Sequence, residues 1–337
     1  MSSAALNFFN VTKNLTYAIL GTGALGGFYG AKLQQAGLEV HFLVRSDYES
    51  VRRNGLFVES VDGDFRLNRV NAYCDVRNMP ACDVAIVALK TTQNHLLPDI
   101  LLPILKENST VLVLQNGLGI EEEVAAIIDR YKVSGHKIGE TKIIGGLCFL
   151  CSNKVGDGHI RHLAYGKINL GEHKNNSQHG GIADEMQIIA NDFESAGIPI
   201  ELSSDLLLAR WKKLVWNIPY NGLSVVLDAT TEELMTNPNS LELVKELMHE
   251  VLRGAKSVEC DIPLEFIETM LEHTRNMHPY RTSMKIDYDE KRPLELTAIF
   301  SNALQAAFSR GVNLPKIRCL YQQLQFLDLR NRTNAVK

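Results

Sequence analysis

No run of about 18 apolar residues occurs in this chain of 337 residues, so no segment is long enough to cross a bilayer as a helix. There is no basic surplus either. Lys and Arg number 35 against 39 Asp and Glu, a net charge of −4, which argues against nucleic acid as the main partner. The N-terminal stretch MSSAALNFFNVTKNL lacks a charged region followed by an apolar core and does not read as a secretory signal. Cysteine is sparse and scattered, six in all, and reads as reduced thiol in a cytoplasmic protein. Internal repeats and low-complexity tracts are absent. What is present, 45% hydrophobic and 22% charged residues, is enough to build a sizeable core, and the length allows two domains.

One cysteine grouping could suggest a metal. Cys148 and Cys151 form a CxxC, and His159 and His162 form an HxxH soon after. These are zinc-ligand types, but the linker is far shorter than in a zinc finger. The flanking segments read as strands, whose alternation puts residues three apart on opposite faces. The expectation is ordinary strand residues and no metal site.

Apolar runs at 16–20, 40–44 (VHFLV), 84–89 (VAIVAL) and 110–115 (TVLVLQ) read as buried strands, with helical patterns between several of them. Strand alternating with helix predicts a parallel, doubly wound sheet. The texture is β-rich from about residue 140 to about 171. NNSQHGG (175–181) reads as a loop, 183–196 as a helix and 198–203 as a short strand. From Asp205 to about residue 328 the pattern is helical, and the polar tail RNRTNAVK should fray. The expected fold is α/β, with an N-terminal Rossmann-type doubly wound sheet over 1–200 and a C-terminal all-helical domain over 201–337.

Gly21, Gly23 and Gly26 spell GxGxxG between the first strand and the following helix. In that context the first glycine makes a tight turn, the second lets backbone approach a pyrophosphate, and the third lets helix and strand pack closely. The N–H groups at Gly23, Ala24 and Leu25 then face the phosphates at a helix N-terminus. An NAD enzyme usually carries Asp or Glu at the end of the second strand. Here Arg45 fills that slot, with Asp47 two residues late. A guanidinium suits a 2′-phosphate, which favours NADPH, although Arg45 could also be a surface arginine in a loop. Two further loops leave strand C-termini, where open α/β sheets bind ligands. Lys90 lies on one, as either a cofactor contact or a solvated lysine. Asn116 lies on the other, in a Gln-Asn-Gly turn with a conformational explanation of its own.

The stretch WKKLVWNIPYNGLS (211–224) carries the chemistry. Leu207, Leu208, Trp211, Leu214, Val215 and Ile218 recur at helical spacing as a buried stripe. The other stripe reads Lys213, Asn217, Asn221. Asparagine disfavours helix interiors, so two of them in line with a lysine suggest a cleft rather than a solvated face. Lysine can protonate a developing alkoxide, and asparagine can orient a carboxylate or hydroxyl. Pro219 should bend this helix.

With these residues the chain resembles the ketopantoate reductases (2-dehydropantoate 2-reductases) from about residue 15 to 328. The matching motifs are GTGALGG, Arg45, Leu89-Lys90, the Gln115–Gly117 turn, KLVWNIPYN and SMKIDYDEKRPLE (283–295). The resemblance implies a Rossmann domain joined to a helical domain, and reduction of the 2-oxo acid ketopantoate to pantoate by NADPH in pantothenate and coenzyme A biosynthesis. By position it implies Lys213 as general acid and Glu295 as an active-site glutamate. It likewise implies Asn217, Asn221 and Ser283 as substrate contacts, and Arg45, Lys90 and Asn116 as cofactor contacts, with Asn116 also within reach of substrate. Arg281 is a further carboxylate-binding candidate of lower rank. Departures occur at Gly222, Thr231 and Phe300-Ser301, where family members often have Pro, Asn and Asn-Gly. They bear on the substrate's alkyl end. The alternatives are another 2-oxo acid, a cofactor-binding sensor without turnover, or a metal enzyme built on the Cys/His cluster. A homodimer is compatible with the fold.

Overall fold

The structure, a computed structural model, describes residues 15–135, 138–174, 182–277 and 281–335. The N-terminal stretch through residue 14, the loop expected at 175–181 and the last two residues of the tail lie outside the described residues. Among the described residues no helix is long and apolar enough to cross a membrane.

The N-terminal half is one ten-stranded mixed sheet. Its centre is parallel, with β1 (Thr16–Leu20) between β2 (Glu39–Leu43) and β6 (Cys82–Val87), β7 (Leu105–Val113) beside β6, and β5 (Asn71–Tyr73) beyond β2. These strands are near-continuous apolar runs because helices cover both faces of a parallel sheet. The covering helices are α1 (Ala24–Gln35), α2 (Tyr48–Asn54), α3 (Leu97–Ile100), α4 (Ile120–Val133) and α5 (Asp184–Ser195). Strand order reverses at β1, whose neighbours are β2 and β6. That switch point is where doubly wound sheets open a ligand crevice.

The β-rich region is a long hairpin, β8 (Lys142–Gly156) and β9 (His159–Glu172). Its connection is too short for a crossover, so the pair is antiparallel. β3 (Leu56–Ser60) joins β9 and pairs with β4 (Phe65–Leu67), and β10 (Ile200–Ser203) lies against the other end of β9. The register break between Phe149 and Leu150 faces Tyr165 and Gly166, both at positive φ, and a second break between Cys151 and Ser152 faces Leu163. Such bulges twist a strand and re-aim its side chains. The two imidazoles of the HxxH are taken by neighbours: His159 Nε2 lies 3.1 Å from Glu59, and His162 lies 2.9 Å from Ser60 Oγ.

The C-terminal half is helical: α6 (Leu206–Val226), α7 (Thr231–Thr236), α8 (Pro238–Ser257), α9 (Glu265–Arg275), α10 (Ser283–Asp289), α11 (Asn302–Ser309) and α12 (Pro315–Ala335). α6 is its axis. Asp205 caps it by accepting from Leu208 N at 2.9 Å, and Trp211, Leu214, Val215 and Ile218 are buried in the helical core. Leu207, expected in that stripe, is 41% exposed instead, since it sits in the first turn on the outer side. At Gly222 a Cβ would stand 2.5 Å from Leu320 of α12, so the small residue lets the two helices close up. The tail expected to fray, RNRTNAVK, is helical through Ala335, its last two residues lying outside the described ones. Asp328 pairs with Arg332 at 2.9 Å, and Asn331 donates to Tyr288 O at 2.6 Å, so the polar tail continues as helix to Ala335.

The halves are joined by a buried ion pair between Arg210 of α6 and Glu121 of α4, with Arg210 Nη1 also donating to Gln115 O at 2.7 Å. Arg210→Met leaves the buried carboxylate unpaired and should cost about 3–5 kcal/mol of stability, whereas Glu121→Gln/Arg210→Met should recover much of that loss. Denaturant unfolding of both variants checks this; equal stabilities would show that the pair contributes nothing as a pair.

Candidate active site

A cleft of about 1350 Å³ lies between the C-terminal edge of the sheet and helices α6, α9 and α10. It exceeds the roughly 300–1,000 Å³ of a drug-sized pocket, leaving room for a dinucleotide and a small substrate together.

Its floor begins at the glycine turn. Gly21 has φ +103°, and a Cβ there would lie 2.6 Å from Leu89 N, so a side chain is excluded. Gly26 is buried against the turn. Gly23 differs: nothing stands within 4 Å of where its Cβ would be, and it opens onto the cleft with Ala24 and Leu25. No side chain caps α1 and no acidic residue occupies its first turn. Its free N–H groups and positive dipole end are therefore unspent, which fits a pyrophosphate. At the end of β2, Arg45 lines the cleft and donates to Gln93 Oε1 at 3.2 Å. Asp47 is turned inward, 3% exposed, accepting from Gly158 N at 2.9 Å and pairing with Lys154 at 2.7 Å.

Lys90 faces the cleft but reaches across it. Its Nζ lies 2.7 Å from Asp287 and 3.4 Å from Glu295. Loss of water pulls its pKa down, yet the two carboxylates, Glu295 foremost, hold it above the ordinary lysine value. The buried Glu295 carboxylate also accepts from Thr91 N at 2.9 Å and Thr91 Oγ1 at 3.0 Å. A π turn at Thr297–Ser301 follows directly. Within it Ala298 O accepts from Leu118 N at 2.9 Å and leaves no space for a side chain at Gly117 (φ +111°). The turn carrying Asn116 and the segment carrying Glu295 thus grip one another, and both residues line the cleft.

Lys213 projects from α6 toward the hairpin, donating to Cys148 O at 2.7 Å with its Nζ 5.3 Å from the Phe149 ring centre. Desolvation is the main influence on its ammonium. Arg210 one turn away adds repulsion, Cys148 and Glu295 act the other way, and the net pKa is lowered to about 8. Asn217 lines the cleft, 6% exposed, and its amide has no protein partner among the described residues. Ser283 lines it too, as the first residue of α10. The capping task there falls to Thr282, which accepts from Lys285 N at 3.2 Å.

Asn221 departs from expectation. It is 2% exposed, stands outside the cleft wall, and offers its Oδ1 to Met284 N at 3.5 Å. It supports α10, and hence Ser283, from behind. Arg281 also stands outside the wall, paired with Asp289 at 3.2 Å. Thr231 is buried at the start of α7, and Phe300 is buried in the π turn. Thr91, Asp287, Arg210 and Lys154 were not singled out in the sequence. Only Asp287 and Thr91 had a local signal, beside Ser283 and Lys90.

Residues 17–175 match the family described as Ketopantoate reductase PanE/ApbA, and residues 205–328 match its C-terminal part. A 2-dehydropantoate 2-reductase of Nostoc sp. is 64% identical over 320 residues, 95% of this chain and 97% of its own length. A solved 2-dehydropantoate 2-reductase from Geobacter metallireducens superposes with a TM-score of 0.85 at 38% identity, covering 92% of this chain and 99% of its own. Another, from Methylococcus capsulatus, gives 0.80 at 30%, covering 94% and 98%. The glycine turn, the lysine of α6 and the glutamate before the π turn stand in a fold shared along nearly the whole chain, which belongs to the ketopantoate reductase family.

Proposed function

We propose that this protein reduces 2-dehydropantoate to pantoate with NADPH, a cytoplasmic step in pantothenate and coenzyme A biosynthesis. The observation that carries the reading is Lys213, an ammonium with a pKa near 8 in the same cleft as Glu295, Asn116 and an uncapped phosphate-binding helix. NADPH is favoured over NADH because Arg45 occupies the end of β2 while the nearby Asp47 is committed to Lys154 and Gly158.

When bound, the nicotinamide supplies hydride to the ketone carbon. Lys213 Nζ gives its proton to the ketone oxygen as negative charge develops there, and its charge stabilises that oxygen in a site screened from water. Asn217, with its amide unspent, and Ser283 at a helix start hold the substrate's hydroxyl and carboxylate. Glu295, fixed by Thr91 and Lys90, attracts the Lys213 ammonium and so helps keep it protonated before transfer. Asn116 sits where cofactor and substrate meet. A related 2-oxo acid is the alternative substrate, since Trp216, Phe266 and Met270 form an apolar wall that accepts other alkyl ends.

NADPH oxidation with ketopantoate is expected, and Lys213→Ala should lower kcat by about 10²–10⁴-fold. Tight NADPH binding without oxidation by ketopantoate or any 2-oxo acid would reject catalysis in favour of a sensor.

Because the acid must be protonated, kcat/KM of the wild type should fall as pH rises through about 8. The residual activity of Lys213→Ala should lack that limb. Stability should run the opposite way. The folded-state pKa lies below the ordinary lysine value of 10.5, so the unfolded chain binds more protons between those values and wild-type stability rises with pH across that window. Lys213→Met should therefore unfold at a higher temperature than wild type at neutral pH, with the gap closing above about pH 8. A gap independent of pH would show that Lys213 is not desolvated as described.

A further inference from the structure

Beyond Arg45, nothing so far assigns a residue to the far end of the dinucleotide, and the hairpin supplies a candidate. The outer half of β8 runs along the cofactor side of the cleft. Ser152 Oγ donates to Ala24 O at 3.3 Å, placing this strand against the first turn of α1, where the pyrophosphate belongs. The register is regular from Ser152 to Lys154, so Lys154 leaves the strand on the same face, further toward the end of β2. It lines the cleft together with Arg45, Ser46 and Asp47 and is 27% exposed there.

The Asp47 carboxylate explains what this lysine does. An acidic side chain at the end of β2 would normally hold the ribose hydroxyls and repel a 2′-phosphate. Asp47 is buried, with one oxygen accepting from Gly158 N at 2.9 Å and meeting Lys154 Nζ at 2.7 Å. Lys154 neutralises that carboxylate and keeps two further N–H donors. An ammonium has three rotatable donors, so one partner does not exhaust it.

We propose that Lys154, reaching over from the hairpin, is a specificity-determining residue that binds the adenosine 2′-phosphate of the dinucleotide jointly with Arg45. The inference rests on the NADPH reading above. It makes coenzyme choice depend on a residue 109 positions beyond Arg45, brought beside it only by the hairpin's fold, and it assigns the hairpin tip a binding role.

The test is calorimetric binding of adenosine 2′,5′-bisphosphate and of 5′-AMP to the full-length protein. Lys154→Met should weaken the bisphosphate by about ten- to a hundredfold and change 5′-AMP little, because one charge-assisted contact is removed from the 2′-phosphate alone. Lys154→Arg should retain the preference. Since Lys154→Met strands a buried carboxylate, Asp47→Asn/Lys154→Met serves as the folded control. Asp47→Asn alone should tighten the bisphosphate, and the double variant should lose that gain. Equal weakening of both ligands, or an unchanged preference in the double variant, would overturn the assignment and reduce Lys154 to a structural partner of Asp47. If wild type itself does not distinguish the two ligands, the NADPH reading fails and this inference with it. If wild type distinguishes them and Lys154→Met and the double variant keep the full wild-type preference, only this inference fails.

Discussion

The buried Arg210–Glu121 pair fixes the geometry on which the site depends. Two charges taken out of water are costly unless each is fully met by partners. Here the guanidinium also donates to Gln115 O at 2.7 Å, so α6 is bound at once to α4 and to the end of β7. That docking sets where Lys213, one turn further, stands relative to Asn116. It also sets the charge that Lys213 feels. Arg210 opposes a second cation nearby, and burial opposes it more, which is how this lysine comes to hold its proton only weakly, whereas Lys90, also desolvated, keeps its proton because two carboxylates face it.

The floor of the cleft is cross-tied in the same manner. Lys90 and Thr91 hold Glu295, Leu118 N bonds Ala298 O, and Asn302 Nδ2 donates to Leu118 O at 2.6 Å. The wide π turn at 297–301 lets this segment present both a carboxylate and a free carbonyl to the sheet's edge, a use to which such turns are often put. At the mouth the contact is looser: Tyr165, with φ 65°, stacks on His273 of α9 at 5.7 Å. Among the described residues, charged hydrogen bonds thus tie the floor, while a ring contact meets α9 at the mouth.

Features that depend on neighbours in sequence were legible there. The glycine turn, Arg45 at the end of β2 and Lys213 in its helix all follow from spacing and element type. Asn221 shows where spacing stops being enough. At about 100° per residue, eight positions carry a side chain about 80° away from the starting direction, so Asn217 stays near Lys213 while Asn221 turns toward α10. The polar tail is the opposite case, since it lacks the apolar residues that signal structure and is helical nonetheless. Its arginines and asparagine bond to Asp328 and Tyr288, partners that a composition does not reveal. Asp47 and Lys154 are 107 positions apart and meet only because the hairpin folds over the second strand.

The charges of the cleft sort by whether the protein itself compensates them. Lys90 is met by Asp287 and Glu295, Arg210 by Glu121, and Lys154 by Asp47. Lys213 and Arg45 have no carboxylate within ion-pair reach among the described residues; one donates to a carbonyl and the other to an amide oxygen. Positive charge left uncompensated in a low-dielectric cleft attracts an anion more strongly than the same charge in water. On the proposed reading, Lys213 leaves its attraction unspent where a ketone oxygen becomes negative and Arg45 where a phosphate is to be read, Lys90 and Arg210 spend theirs on structure, and Lys154 divides its donors between Asp47 and that phosphate.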